Sequence, residues 1–389
     1  MIETLRIESF KSITEAELDL GQVNVFIGAN GSGKSNLLEA LALLSAAASG
    51  KVDQSTLVWR GSRASGYYRP MFEGAARNAE TAMVARSSGA TFDVRLSAPE
   101  IGRPSPWEFR GERLTAGRKT IADRSKVKNR HGLDPEVGFA ALKLAETDPE
   151  SSASIFLKSI AAYSIYSADT PILHGWTKDP QEREPIGLGG GRLAEAVGEL
   201  IASKELGSEL KQEFSACVDW FAGFGVARIR DSKMEVTKRE MAFIDRYFFN
   251  KKGHLSILSA NDVNEGALYL AFLAVLGMHP LAPRIFAVEN VDHGLNPLLA
   301  KRLMTTLSER ILASPAKRQV FLTTHNPLVL DGLPLQDERV RLFTVDRDNR
   351  GRSIVRRFMV TEKHREMASK GWTLSRMWIN KLIGGVPDV

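Results

Sequence analysis

Residues 28–35 read Gly-Ala-Asn-Gly-Ser-Gly-Lys-Ser and complete the G-x-x-x-x-G-K-S pattern of a P-loop. Before them, residues 23–27 form an apolar segment typical of a buried strand, and after them residues 36–44 form a helix with an apolar face. A strand, a tight glycine loop and a helix in this order are the context in which the pattern binds phosphate. The stretch therefore predicts an α/β fold with a nucleoside triphosphate site at the end of the strand.

The residue types in this loop suit a triphosphate. Glycines let the backbone curl until its N–H groups point at phosphate oxygens, and the start of the helix adds a partial positive charge. The Lys34 ammonium can neutralise the β- and γ-phosphates, and the Ser35 hydroxyl can ligate Mg²⁺. The loop therefore predicts a nucleotide bound together with Mg²⁺.

Length and composition limit the class of protein. The chain has 389 residues, enough for about two or three structural units around a large core. Its one cysteine, Cys217, cannot form an intrachain disulfide or a thiolate zinc site, which fits a reducing compartment. The N-terminus lacks the apolar region of a signal peptide, and the longest apolar stretches, 37–48 and 267–278, are too short to span a bilayer. We expect a cytoplasmic protein with no membrane partner.

Positive charge is concentrated locally. The formal net charge is +6, and basic residues gather in residues 103–130 and 339–357. Such patches suit a polyanion such as DNA, but they also suit a solvated surface. Because no base-reading motif accompanies the charge, both interpretations stay open.

The order of predicted elements divides the chain into three parts. Residues 1–50 are predicted to form an N-terminal lobe with the P-loop, and residues 241–389 a C-terminal lobe of alternating helices and apolar strands. That alternation implies a mostly parallel sheet. Residues 51–240 are predicted to be an insertion of short antiparallel strands and helices, including a helix over 152–166. Its glycine run at 187–191 could approach phosphate, but a flexible connection is the favoured interpretation.

A P-loop needs an acid at the end of a neighbouring strand to hold Mg²⁺ through water. Glu289 follows the apolar segment 284–288 and provides that acid. A further apolar segment, 319–323, leads into Thr-His-Asn-Pro at residues 324–327. These strand ends are expected to lie beside the P-loop.

Together these motifs resemble the ABC-type ATPase heads of the RecF, SMC and OLD group. The shared order is Phe-Lys-Ser at 10–12, the P-loop followed by Asn36, a short motif before a helix, the acid-ended strand and Thr-Thr-His-Asn-Pro at 323–327. The chain is most similar to stand-alone bacterial ATPases that accompany nucleases in phage-defence and repair loci. The resemblance covers residues 1–45 and 255–345 best and implies a mostly parallel sheet, an antiparallel subdomain and an inserted α+β or helical region.

The resemblance also implies roles for single residues. ATP would be the nucleotide, and Glu289 would hold Mg²⁺ together with Ser35. His325 would be the switch histidine that senses the γ-phosphate or orients water. The residues expected to contact ATP are Asn30, Gly31, Ser32, Gly33, Lys34, Ser35 and Asn36. Asn264, Glu265 and Gly266 would be the signature that contacts ATP across a dimer interface, although Asn264 could also be a plain helix cap.

The chain departs from the family at the catalytic position. The family has two adjacent acids there, whereas this chain has Glu289 followed by Asn290. An amide can orient water but cannot accept its proton, and loss of a general base costs about 10²–10⁴-fold in rate. Either hydrolysis is slow, or Asp292 serves as the carboxylate. Slow hydrolysis is favoured because side chains at i and i+2 point in different directions.

The implied function is that of an ATP-dimerised ATPase subunit that controls a separate nuclease or toxin, with DNA or a phage product as further partners. The alternative is a scaffold that holds ATP and sequesters an effector; a transporter ATPase fits less well. A fused Toprim nuclease is not expected, because only about forty residues follow Asp346 and that domain needs about a hundred. Asp346 and Asp348 are therefore interpreted as a charged turn rather than a nuclease site.

Overall fold

The computed structural model describes residues 1–63, 80–99, 105–127, 133–231, 236–249 and 253–385. The strands are β1 (Thr4–Phe10), β2 (Ile13–Asp19), β3 (Val23–Gly28), β4 (Thr81–Arg86), β5 (Ala90–Ser97), β6 (Glu108–Ala116), β7 (Lys119–Asp123), β8 (Ile165–Tyr166), β9 (Phe221–Asp231), β10 (Val236–Phe249), β11 (Leu255–Ser259), β12 (Ile285–Val288), β13 (Gln319–Thr324), β14 (Val340–Arg347) and β15 (Ser353–Phe358). The helices are α1 (Lys34–Ala48), α2 (Gln54–Trp59), α3 (Phe139–Leu144), α4 (Ser152–Ala161), α5 (Thr170–Leu173), α6 (Leu193–Ala202), α7 (Lys204–Cys217), α8 (Glu265–Met278), α9 (Pro297–Ala313), α10 (Glu362–Ser369) and α11 (Leu374–Ile379).

A mostly parallel sheet forms the centre of the molecule. Its described strands run in the order β15-β14-β3-β13-β12-β8, and all pairs are parallel except β14 with β15. Every residue of β3, β12 and β13 is buried, as expected for parallel strands covered on both faces. The predicted fold class is thus confirmed.

A second sheet is entirely antiparallel. Its described strands run in the order β2-β1-β4-β5-β6-β7, and along β4 and β5 buried residues alternate with more exposed ones. The sheet crosses the predicted boundary at residue 50, because β1 pairs with β4 from residue 4 to residue 8. The three-part division itself stays a prediction.

Helix α1 lies between these two sheets and is buried along most of its length. Its leucines and alanines share one hydrophobic cluster with β1, β2, β4 and β5 and with Phe26, Phe321 and Phe343 of the parallel sheet. Phe26 and Phe343 stack with ring centroids 5.1 Å apart. On the opposite face of the parallel sheet, α6, α7, α8 and α9 form a second cluster. Burial of a single large apolar side chain stabilises such a core by about 1.5–3 kcal/mol, so α1 is held firmly where the P-loop ends.

Two predictions for the middle region are wrong. The helix predicted over 152–166 ends at Ala161, and Ile165 and Tyr166 instead form β8 beside β12, since β-branched and aromatic residues fit a buried sheet edge. The glycine run is packed rather than flexible, with residues 187–190 buried. The buried carboxylate of Asp179 accepts hydrogen bonds from the N–H groups of Gly189 at 2.9 Å and Gly191 at 3.1 Å, which satisfies backbone groups that have left water.

Within the described ranges, no helix combines the length and hydropathy needed to cross a bilayer.

Candidate nucleotide site

Three functional segments meet at the carboxyl edge of the parallel sheet. The P-loop follows β3, His325 follows β13 and Glu289 follows β12, and these strands are neighbours in the order β3-β13-β12. Because parallel strands end at the same edge, the exposed His325 emerges between the P-loop and the acid. The role of His325 as the switch histidine stays a prediction.

The P-loop backbone depends on glycine. Gly31 has φ +79° and Gly33 has φ +109°, both in the left-handed region that favours glycine. A Cβ added at Gly33 would lie 1.9 Å from Ser353 Oγ. Ser32 Oγ is buried and has no hydrogen-bond partner among the described residues. A loop that curls on glycines and presents an unpartnered hydroxyl fits a phosphate ligand.

Lys34 turns its ammonium back onto its own loop. Nζ donates to the carbonyl oxygens of Gly28 and Ala29, each at 2.8 Å. Burial lowers the pKa of Lys34, while the negative charges of Glu289 and Asp292 oppose that shift. The ammonium therefore lies within the P-loop and close to the acid-ended strand.

The two predicted Mg²⁺ ligands are brought together by the fold. The Ser35 hydroxyl donates a hydrogen bond to Glu289 Oε1, although the two residues are 254 positions apart in sequence. Arg63, which is not among the predicted site residues, donates from Nη2 to the same carboxylate oxygen at 2.6 Å and to Ser35 Oγ at 3.2 Å. No motif marks Arg63, because a lone arginine after a short helix has no spacing that points to this contact.

These groups fit Mg²⁺ and ATP. Magnesium prefers oxygen ligands and usually combines one or two protein ligands with phosphates and water. Ser35 and Glu289 supply one hydroxyl and one carboxylate, and the described part of the chain contains no larger cluster of histidines, cysteines and acids that could hold a metal. When bound, the metal would neutralise charge on the β- and γ-phosphates.

The Phe-Lys-Ser segment packs beside the P-loop helix. Ser12 Oγ accepts from Asn36 Nδ2 at 2.6 Å and shares a hydrogen bond of 2.6 Å with Ser353 Oγ. Lys11 forms an ion pair with the buried Glu39 of α1. Asn36, expected to contact ATP, is therefore engaged with Ser12 of the Phe-Lys-Ser segment.

Asn290 adopts a conformation that asparagine tolerates better than most residues. Its φ is +52°, in the left-handed region. Its N–H donates to Thr323 Oγ1 at 3.0 Å, and its carbonyl accepts from the Tyr269 hydroxyl at 3.0 Å. Tyr269 is fully buried, and burial raises its pKa well above the usual value. The backbone of Asn290 is thus held from both sides.

Asp292, the alternative carboxylate, is buried and paired. Its Oδ1 accepts from Thr324 Oγ1 at 2.7 Å, and the residue is 8% exposed. The hydrogen bond directs this carboxylate toward the end of β13.

The signature stretch packs on the loop that follows Asn290 in the same chain. Asn264 Oδ1 accepts from Ala267 N at 2.9 Å and caps α8, as a plain helix cap would. Glu265 Oε1 lies 2.9 Å from His293 Nε2. A Cβ added at Gly266 would lie 3.3 Å from the Gly294 carbonyl. The stretch and the loop therefore form one continuous surface.

Many residues of the two basic runs are paired with acids. In the first run the pairs are Arg110–Glu108 at 2.6 Å, and Arg113–Asp123, Arg124–Glu112 and Lys126–Asp123, each at 3.9 Å. In the second run they are Arg339–Asp337 at 2.6 Å, Arg352–Asp348 at 2.7 Å and Arg356–Asp346 at 3.1 Å. Arg103, Lys128 and Arg130 lie outside the described residues. Contact with DNA stays a prediction.

Asp346 and Asp348 have structural partners. Asp346 Oδ1 accepts from Gly385 N at 2.8 Å, so it holds the C-terminal segment against the end of the sheet. Asp348 accepts from the backbone N–H groups of Arg350 at 3.0 Å and Arg352 at 2.8 Å and closes a turn. These contacts suit the predicted charged turn.

The comparisons with known proteins agree with this geometry. The profile of the protein family described as "AAA domain, putative AbiEii toxin, Type IV TA system" matches residues 23–331. A 67-residue stretch is 45% identical to the uncharacterised protein MJECL10 of Methanocaldococcus jannaschii and covers 16% of this chain and 31% of that protein. A 54-residue stretch is 48% identical to the DNA replication and repair protein RecF of Renibacterium salmoninarum and covers 14% of each. The chain thus spans less than a third of either relative.

Among solved structures, the chain is similar to an SmcHead bound to the C-winged helix domain of ScpA. The TM-score is 0.52 at 15% sequence identity, and the match covers 94% of this chain and 99% of that one. At this identity the likeness shows the fold, which is that of an ABC-type ATPase head.

Proposed function

The chain belongs to the AAA-domain family whose description names the AbiEii toxin, and on that premise we propose that it is a Mg²⁺- and ATP-binding subunit of an anti-phage defence or DNA-repair complex. The contact between Ser35 and Glu289 carries the proposal. It joins the P-loop to the acid-ended strand, and these are the two halves that an ABC-type site needs to hold a metal-bound triphosphate.

ATP would join two copies of the chain, with the signature stretch of one copy facing the P-loop of the other. Part of the surface that would take part is exposed in the single chain, although Gly266 of the signature stretch is buried. Asn264, His293 and Gly294 are exposed, and Leu298 at the start of α9 is 80% exposed despite being apolar. A large exposed apolar side chain beside a polar rim is typical of an interface.

Hydrolysis would be slow. Asn290 stands where the family has a general base, and the amide can orient water without accepting its proton. A second candidate function follows from the same observation: a scaffold that holds ATP and sequesters its effector. Nucleotide content after purification, compared with turnover under excess ATP, separates the two. Rapid turnover that survived Asp292→Ala would contradict both.

The effector would be a separate nuclease or toxin. The family description supports a toxin–antitoxin setting, and closure of the two heads would move the middle region that carries β4 to β7. Contact of that region with the effector, DNA or a phage product would then depend on ATP.

Light scattering on the purified chain tests the proposal. Wild type should double its mass with ATP and Mg²⁺, and Lys34→Ala should stay at the mass of one chain because the ammonium that neutralises the phosphates is gone. Lys211→Ala is the matched control, since Lys211 is exposed on α7 away from the P-loop and its variant should associate as wild type does. ATP-dependent association that is unchanged in Lys34→Ala would refute the proposal.

A further inference from the structure

Arg63 lies directly on the oxygens that Mg²⁺ would use. Its Nη2 is 2.6 Å from Glu289 Oε1 and 3.2 Å from Ser35 Oγ, so one guanidinium nitrogen contacts both predicted metal ligands. The backbone N–H of Arg63 donates to Glu39 Oε1 at 3.2 Å, which ties the start of the side chain to α1. The Arg63 backbone is therefore held by α1, and its charged guanidinium contacts the two predicted metal ligands.

Because Glu289 is largely buried, a cation in contact with its carboxylate stabilises the charged form. The Glu289 side chain is only 17% exposed, and an uncompensated carboxylate with so little access to water is costly. The nearby Lys34 ammonium donates to the carbonyls of Gly28 and Ala29 rather than to Glu289. Among the described residues, Arg63 is thus the cation that contacts the Glu289 carboxylate directly.

Mg²⁺ and this guanidinium need the same oxygens. Bound Mg²⁺, with the waters that it usually keeps, would engage the same Ser35 and Glu289 oxygens that the guanidinium now contacts. We propose that Arg63 competes with Mg²⁺ for Glu289 and Ser35, and so sets the Mg²⁺ concentration at which the site accepts its nucleotide. This inference rests on the proposed function.

Replacement of Arg63 by Mg²⁺ at Glu289 costs the guanidinium little solvation free energy. Its side chain is 66% exposed, so water solvates the guanidinium when it leaves Glu289. Exposed ion pairs contribute little free energy, and the double charge of the metal therefore prevails once enough Mg²⁺ is present. The competition should shift the Mg²⁺ requirement without preventing nucleotide binding.

Titration of Mg²⁺ at a fixed concentration of a fluorescent ATP analogue tests the inference, with nucleotide binding as the readout. Arg63→Gln should lower the Mg²⁺ concentration at half-maximal binding by about twofold to fivefold, the range expected for loss of an exposed ion pair. Arg347→Gln is the matched control, because its Nη1 donates to the Gly31 carbonyl of the P-loop at 3.3 Å. It removes the same charge beside the loop without breaking a hydrogen bond to Ser35 or Glu289, so the half-maximal concentration should stay at the wild-type value.

The possible outcomes are distinct. An unchanged or increased Mg²⁺ requirement in Arg63→Gln, with wild type binding the analogue normally, would overturn the competition and leave the proposed function standing. An equal decrease in Arg347→Gln would also overturn it, since loss of charge alone would then explain the shift. If wild type bound no analogue at any Mg²⁺ concentration, both proposals would fail.

Discussion

The mostly parallel sheet and the antiparallel sheet that runs from β2 to β7 each have six described strands, but their polar side chains have different partners. At the carboxyl edge of the parallel sheet, Ser32 Oγ has no hydrogen-bond partner among the described residues. Lys34 and Arg63 donate hydrogen bonds there to acceptors that a ligand could replace. In the antiparallel sheet the buried Glu112 has its partners within the fold. The edge of the parallel sheet therefore has polar groups that a ligand could bind, whereas Glu112 of the antiparallel sheet is bound by backbone N–H groups within the fold.

This contrast predicts where substitutions act. Changes at the edge of the parallel sheet should alter nucleotide binding or turnover, and changes inside the antiparallel sheet should alter the free energy of unfolding. Three experiments test the contrast, from the largest expected effect to the smallest.

Gly33→Ala should weaken ATP binding most. The φ of +109° is strained for any residue with a Cβ, and that Cβ would lie 1.9 Å from Ser353 Oγ. Backbone strain and overpacking together cost about 4 kcal/mol, which corresponds to about a 10³-fold loss of affinity if the loop must refold to bind. Isothermal titration calorimetry with ATP and Mg²⁺ measures the change.

Gly31→Ala is the control for Gly33→Ala. Gly31 also has a positive φ, +79°, but no heavy atom lies within 4 Å of its added Cβ. Only backbone strain remains, about 1–2 kcal/mol, so the loss should be about tenfold. Equal losses in the two variants would show that crowding against Ser353 has no part in shaping the loop.

The sequence was sufficient for the parallel sheet because its motifs lie at strand ends. An apolar strand followed by glycines, an acid or Thr-His-Asn-Pro fixes where each segment emerges, and the sheet then places the segments together. Residues that depend on contacts distant in sequence were not predictable. Arg63 meets Glu289 across 226 residues, and no local pattern encodes such a meeting.

The middle region was harder to predict for the same reason. Its glycine run looked like a flexible connection because nothing nearby in sequence shows that Asp179 binds two of its N–H groups. Residues 165–166 continued an apolar helical pattern, and pairing with β12 made them a strand instead. In both cases a tertiary partner overrode local propensity.

Glu112 makes the stability of the antiparallel sheet depend on pH. Burial raises its pKa to about 7 from the usual 4.5, although the N–H groups of Phe139 and Ala140 and the charge of Arg124 oppose the shift. The folded chain therefore keeps a proton that the unfolded chain has lost between these two values. A carboxyl group with a raised pKa stabilises the fold at low pH, and that contribution is lost as pH rises toward 7; for this shift it amounts to about 3 kcal/mol.

Glu112→Gln should remove this dependence. The difference in unfolding free energy between wild type and variant should change by about 2–3 kcal/mol from pH 4.5 to 7.5, with wild type losing stability as pH rises. Urea unfolding at several pH values measures it. ATP affinity at pH 7.5 should be unchanged, because Glu112 lies in the antiparallel sheet. A marked loss of affinity would contradict the division of roles between the sheets.

Asn290→Glu tests whether the edge of the parallel sheet is built to hold ATP or to hydrolyse it. The substitution restores a carboxylate beside Glu289, and turnover should rise about tenfold, which is less than the roughly 10²-fold minimum that a well-placed general base contributes. The gain is limited because glutamate tolerates the φ of +52° less well than asparagine does, at a cost of about 1 kcal/mol. Phosphate release under excess ATP measures the turnover.

Asn290→Gln is the control for Asn290→Glu, since it has the same length and no base. If both variants hydrolyse ATP at the wild-type rate, the side chain at position 290 does not limit turnover, and the carboxylate of Asp292 becomes the group to test. That carboxylate would first have to leave Thr324 Oγ1, to which it is bonded at 2.7 Å. A rise in Asn290→Glu alone would mean that the backbone held by Thr323 and Tyr269 is already positioned for catalysis, and that the asparagine at this position slows hydrolysis of the bound ATP.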